Sequence, residues 1–224
     1  MYRDLIVYDF ETTNKNPWKC QATQLAALAI DPRTFRLKGT FNSEIWAEMD
    51  DDKAIALGFD PTAEEALMKT RKTREMISAA PPLRGVWDKW CNFVNKHNWK
   101  GTSYFAPIRC GYNILQFDDI ILNKMAKVLG PWDKDYHRNT LFNTAFKFDL
   151  MDNMWAWTEG DPSVKSISMD NLRIRMNLKS TMAHDALQDV KDTANIMIKM
   201  MKTHRAVYRN LDLEKAFADG LPIE

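Results

Sequence analysis

The chain has 224 residues, 45% hydrophobic and 27% charged, with 31 basic against 30 acidic side chains and a net charge of +1. These figures describe one large globular domain, exclude disorder and collagen, and give no global field that would draw in a polyanion, so a nucleic-acid partner needs local patches or bound metal. The three cysteines, Cys20, Cys91 and Cys110, are far apart and form no CxxC pair. That argues against a disulfide framework or a cysteine zinc site and for a reducing compartment. With no apolar run of membrane-spanning length and no signal-peptide pattern after Met1, the expectation is a cytoplasmic protein without a membrane partner.

In chain order, Leu5–Phe10 is short, apolar and β-prone and predicts a buried strand. Gln24–Ile30 predicts a second, cut short by Asp31-Pro32, and Phe35–Ile45 a third, which closes an antiparallel meander. Asp60-Pro61 is expected to open a helix, with Asp60 as its cap and Glu64 and Glu65 at the positive end of the dipole. Leu83–Asn95 carries a helical stripe of Val86, Trp90, Phe93 and Val94. Ser103–Tyr112 reads as a strand, although Pro107 is awkward in a central one. Phe117–Leu129 is helical, with Ile121, Leu122 and Met125 on the stripe of Phe117. A short strand over Phe146–Leu150, a short helix over Met169–Met176 and a long helix from Ala186 to about Thr203 follow. Three strands followed by helices alternating with two more strands predict an α/β fold with a five-stranded mixed sheet flanked by helices.

Three acidic segments carry the candidate chemistry. Asp9 and Glu11 are two apart at the end of the first strand, so both side chains share one face. Carboxylates so placed repel unless a cation lies between them; alone, the pair fits better a strand entering a solvated turn. Asp118 and Asp119 open the central helix about 100° apart, and composition does not choose between them; capping is the plain structural role. His184 precedes the last helix and Asp189 lies inside it; the two converge only if His184 is on the entering loop, with Asp185 as the cap.

Taken together, the segments Asp9-Phe10-Glu11-Thr12-Thr13, Gly111-Tyr112-Asn113 through Phe117-Asp118-Asp119, and His184-Asp185-Ala186 through Asp189 stand in one order. In that order they resemble the DEDDh group of 3′→5′ exonucleases and, within it, the nuclease domain of bacterial exonuclease I. Gly58-Phe59-Asp60-Pro61 stands where that family has a Gly-x-Thr-Pro turn, and Phe148-Asp149-Leu150-Met151-Asp152 resembles its penultimate strand. Asp60 in place of the usual Thr, and the lack of Gly between Lys15 and Trp18, depart from the pattern.

The resemblance spans residues 1–204, expected as the exonuclease domain, with 205–224 as a C-terminal extension. It implies a ribonuclease H-like exonuclease fold. It further implies two Mg²⁺ ions, replaceable by Mn²⁺, held by Asp9, Glu11, Asp118 and Asp189, with His184 as general base for the attacking water. The expected activity is 3′→5′ hydrolysis of single-stranded DNA to nucleoside 5′-monophosphates, DNA being favoured over RNA. An exoribonuclease, a proofreading subunit and a non-catalytic nucleic-acid-binding module are the alternatives. The resemblance places Thr12, Thr13, Asn113 and Tyr112 at the substrate. Trp18, Phe59, Tyr112 and Trp155 are candidates for base stacking, and Lys69, Arg71, Lys72 and Arg74 form a basic helix segment able to follow phosphates. The chain ends near the close of the nuclease domain, so low processivity is expected.

Overall fold

The computed structural model describes residues 3–178 and 185–212. A five-stranded sheet forms its centre, in the order β3 (Leu37–Glu44), β2 (Ala22–Ile30), β1 (Leu5–Thr12), β4 (Ile108–Gly111) and β7 (Lys147–Asp149). Strands β1, β2 and β3 make the expected antiparallel meander, while β4 and β7 run parallel to β1. Around the sheet stand α1 (Asp51–Ala56), α2 (Glu64–Thr70), α3 (Arg74–Ser78), α4 (Leu83–Asn95), α5 (Asp118–Leu129), α6 (Leu150–Thr158), α7 (Met169–Arg175) and α8 (Ala186–Asn210). A small hairpin, β5 (Trp132–Asp133) with β6 (Arg138–Asn139), follows α5.

The period-two alternation of β1 divides the core. Ile6, Tyr8 and Phe10 face a layer built from Trp87, Trp90 and Val94 of α4 and Ile121, Leu122 and Ala126 of α5. Leu5 and Val7 face the opposite layer, with Val190, Ala194 and Met197 of α8 and Leu150 and Met154 of α6. Asp9 and Glu11 have the parity of Leu5 and Val7, so they emerge on the α8 side where the apolar run ends.

Several boundaries differ from the sequence reading, each for a local reason. The strand expected over Ser103–Tyr112 shrinks to β4, because Pro107 cannot donate to the ladder and residues 102–105 turn instead. Gly111 closes β4 against the backbone of β1: a Cβ there would lie 3.0 Å from the Tyr8 carbonyl and run into Ile114. Asp60 does not cap a helix. Its carboxylate accepts from Asn16 Nδ2 at 2.9 Å and lies 3.8 Å from Lys19, and α2 begins at Glu64 after Ala63. Phe35 takes a left-handed turn conformation (φ 58°), which delays β3 to Leu37. The strand expected over Phe146–Leu150 stops at Asp149, whose carboxylate caps α6 by accepting from the Met151 N–H. Helix α8 continues past Thr203 to Asn210.

Candidate metal centre

The acids converge because three elements end at one edge of the sheet. Asp9 and Glu11 leave β1 on the α8 side, and Asp189 lies in the first turn of α8, which crosses that face. Carboxylate oxygens of Asp9, Glu11 and Asp189 all lie within 4.8 Å of one another. Among the described residues no other group of His, Cys, Asp and Glu brings three ligand atoms so close. Asp185 sets the start of α8 as expected, its carboxylate accepting from the Gln188 N–H at 3.1 Å.

Asp118 reaches the same edge from α5. Parallel pairing of β1 with β4 ends at Val7↔Cys110, and beyond it the Phe10 N–H donates to Asp118 Oδ1 at 2.9 Å. This resolves the choice that composition left open. Asp119 faces away, accepting from the Tyr8 hydroxyl at 2.5 Å and pairing with Arg109 Nε at 3.2 Å. Asp119 therefore has its own cation, and Asp118 faces the acids of β1.

The electrostatics follow from this crowding. Burial, and then the charges of Asp118, Glu11 and Asp189, push the Asp9 carboxyl well above the usual carboxylate range; Arg173 opposes them. Glu11 is pushed up to about 7 by burial and by Asp189, with Lys72 acting against it. Burial also raises Asp118 well above its ordinary value, and the Phe10 N–H offsets part of that. A half-buried set of hard oxygen donors that carries more negative charge than its surroundings balance fits a hard divalent cation. His184 lies outside the described residues.

The structure gives the substrate candidates unequal positions. Thr12 lines a cavity of about 470 Å³ together with Glu11, Lys15, Lys69 and Phe117. Thr13 is fully buried, and its hydroxyl accepts from the Gln21 N–H at 3.1 Å, so it shapes the turn after β1. Asn113 adopts a left-handed conformation (φ 56°) and donates its N–H to Asp149 Oδ1 at 2.8 Å. The Tyr112 hydroxyl donates to the Ile167 carbonyl. Trp18 and Trp155 are exposed, whereas Phe59 lines an apolar groove beside Trp46 and Met125.

The basic segment is not one helix. Arg71 ends α2 in a left-handed conformation, and Arg74 opens α3. Its charges are largely matched within the fold: Lys69 to Glu65 at 2.7 Å, Lys72 to Glu44 at 2.5 Å, and Arg74 to Asp51 and Glu64 at 3.1 and 3.0 Å.

Sequence reasoning missed Arg173, and missed the roles of Asp149, named only within a strand motif, and of Lys72, named only within the basic segment. Asp149 ties the loop after β4, accepting from the N–H groups of Asn113 and Leu115. Lys72 places its buried ammonium against Gln24 Oε1 and Glu44, where its charge reaches Glu11. Arg173 sits behind Asp189, its Nη2 2.5 Å from Asp189 Oδ1. All three depend on tertiary contacts; the one local signal was Asp149 at the strand-to-helix junction.

No protein-family model and no curated protein sequence matches the chain. Solved structures do. Escherichia coli exonuclease I in complex with a dT13 oligonucleotide superposes with a TM-score of 0.67 at 17% identity, over 92% of this chain and 43% of that one. The chain has the ribonuclease H-like exonuclease fold. Exonuclease I from Methylocaldum szegediense gives 0.63 at 20% identity, over 91% and 41%. Cell-death related nuclease 4 gives 0.65 at 13% identity, over 90% and 64%. The chain spans less than half the length of these exonuclease I chains, and the likeness is one of backbone fold.

Proposed function

We propose that this chain is a divalent-metal-dependent 3′→5′ exonuclease that hydrolyses single-stranded DNA to nucleoside 5′-monophosphates. The observation that carries the reading is the convergence of Asp9, Glu11 and Asp189, with Asp118 beside them, at the edge where β1 ends. Solved exonuclease I, which shares the fold, has been captured with dT13 and with single-stranded DNA.

Asp9, Glu11, Asp118 and Asp189 would hold Mg²⁺ or Mn²⁺, which supplies charge stabilisation to the phosphoryl oxygens and the leaving oxygen. The chain's own residues do the rest. Phe10 fixes Asp118 through its N–H, so that carboxylate meets the site in one orientation. Asp185 starts α8 at the position that carries Asp189 to β1. His184, directly before that cap, takes the proton of the attacking water on a ring nitrogen as the bond from phosphorus to the 3′ oxygen breaks. The cavity beside Thr12, with Lys15 and Lys69 on its wall, receives the terminal nucleotide.

The test is digestion of 3′-labelled and 5′-labelled single-stranded DNA and RNA oligonucleotides with Mg²⁺. Mononucleotides released from the 3′ end, faster from DNA than from RNA, are expected. Release from the 5′ end, internal cuts, or faster release from RNA would overturn the polarity or the substrate assignment.

A further inference from the structure

We infer that Arg173 is a positioning residue of the metal centre, fixing the orientation of Asp189 through a buried three-carboxylate fork. This inference rests on the metal-centre reading above. Arg173 belongs to α7 and is 5% exposed. Its guanidinium contacts three acids: Nη2 to Asp189 Oδ1 at 2.5 Å, Nε to Asp192 Oδ2 at 2.8 Å, and Nη1 to Asp170 Oδ1 at 2.9 Å. Asp192 is itself buried, and its other oxygen accepts from Gln188 Nε2 at 2.8 Å, so the fork is anchored at its back.

A clamp that only joined α7 to α8 would be complete with Asp192, since Asp170 lies on α7 itself. The third contact instead engages an oxygen of Asp189, the acid that faces Asp9 and Glu11. A guanidinium presents its donors in a rigid plane, so with Nε and Nη1 tied down, Nη2 holds Asp189 Oδ1 at one place beside the site. Lysine carries the same charge on a flexible stem and has no fork. Partners that orient a metal-binding carboxylate from behind set affinity and rate as the ligands do, with losses of about 10–100-fold when removed.

The experiment titrates Mn²⁺ into the full chain and reads free Mn²⁺ by electron paramagnetic resonance, with no substrate present. It compares wild type with Arg173→Lys, Asp192→Asn and the control Arg175→Gln, whose side chain pairs with Asp161 at the surface. Melting in EDTA reports the fold of each variant, and kcat and KM on single-stranded DNA are measured at saturating metal. Arg173→Lys is expected to weaken Mn²⁺ binding about tenfold and to lower kcat with KM unchanged, and Asp192→Asn to act in the same direction. Arg175→Gln is expected to bind as wild type does. If Arg173→Lys does not fold, Asp192→Asn, which frees the back of the fork, decides the question by the same readout. Wild-type Mn²⁺ binding left unchanged or tightened in the fork variants would reduce Arg173 to a helix clamp. A wild-type chain that neither binds Mn²⁺ nor cleaves would overturn the metal-centre reading, and the fork's role with it.

Discussion

The Phe10 N–H donates to Asp118 Oδ1 across 2.9 Å, joining β1 to the first turn of α5 at the edge of the acidic cluster. The bond does two things: it satisfies a buried backbone donor beyond the end of β4, and it aims one carboxylate. Asp118→Asn keeps the acceptor and removes the charge, whereas Asp118→Ala leaves the N–H without a partner. In EDTA the Ala variant is expected to be less stable than the Asn variant by about 1–3 kcal/mol. Both are expected to lose cleavage by about a hundredfold or more, since loss of a ligand exceeds loss of its supporting partner. Equal stability of the two variants would show that the bond carries no weight.

If the centre binds Mg²⁺ as proposed, the ion is expected to relieve the mutual repulsion of Asp9, Glu11 and Asp189, which is present only in the folded chain. At about a hundred times its dissociation constant it adds about 2.7 kcal/mol, a rise in Tm of about 5–10 °C for a domain of this size. Asp9→Asn is expected to lose most of that rise. Superimposable melting curves for wild type with Mg²⁺ and with EDTA would contradict a preformed site.

Glu11 gives the metal-free protein a pH dependence of known sign. Burial and Asp189 hold its carboxyl at about 7, above its ordinary value of 4.5. Between those values the folded chain keeps the proton and the unfolded chain releases it. Stability from this group is complete below the ordinary value and is lost as pH rises through about 7. In EDTA at about pH 8, Glu11→Gln is therefore expected to melt higher than wild type by about 7–14 °C, the difference vanishing near pH 4. A variant that melts lower at the alkaline end would reverse the sign and overturn the burial argument.

Asp149 is expected to matter for stability rather than for metal binding. One carboxylate accepts from the N–H groups of Asn113, Leu115 and Met151, so it holds both the loop after β4 and the start of α6. Asp149→Ala strips these buried donors together and is expected to cost about 3 kcal/mol, and Asp149→Asn less. Denaturant unfolding measures this, and the Mg²⁺-induced shift in Tm should survive in the Asn variant. A neutral Asp149→Ala would show that the loop holds itself.

Much of this was legible in the sequence because the carriers are periodic or punctuated. Alternation along Leu5–Phe10 put Asp9 and Glu11 on one face, the stripe from Ile121 to Met125 located α5, and Asp185 marked the start of α8. Composition and spacing did not choose Asp118 over Asp119; only the family resemblance named Asp118. The choice depends on which acid meets the Phe10 N–H and which meets Arg109, contacts made across more than a hundred positions in one case and between β4 and α5 in the other. Helices α1 and α3 escaped notice because six and five residues hold too little of a 3.6-residue pattern. The basic run from Lys69 to Arg74 looked like one charged face. Two of its acids, Glu44 and Asp51, come from elsewhere in the chain and pair with Lys72 and Arg74. Arg173 gave no warning at all, since its meaning lies in Asp189 and Asp192 on another helix.

The central claim is that the acids at the end of β1 form one metal-dependent hydrolytic centre. The most direct test compares mononucleotide release from 3′-labelled single-stranded DNA by wild type and by Asp9→Ala, each with Mg²⁺ and with EDTA. Release by wild type with Mg²⁺ only, and by Asp9→Ala under neither condition, is the expected result. Undiminished release in EDTA, or by the folded Asp9→Ala variant, would place the chemistry elsewhere and contradict the account.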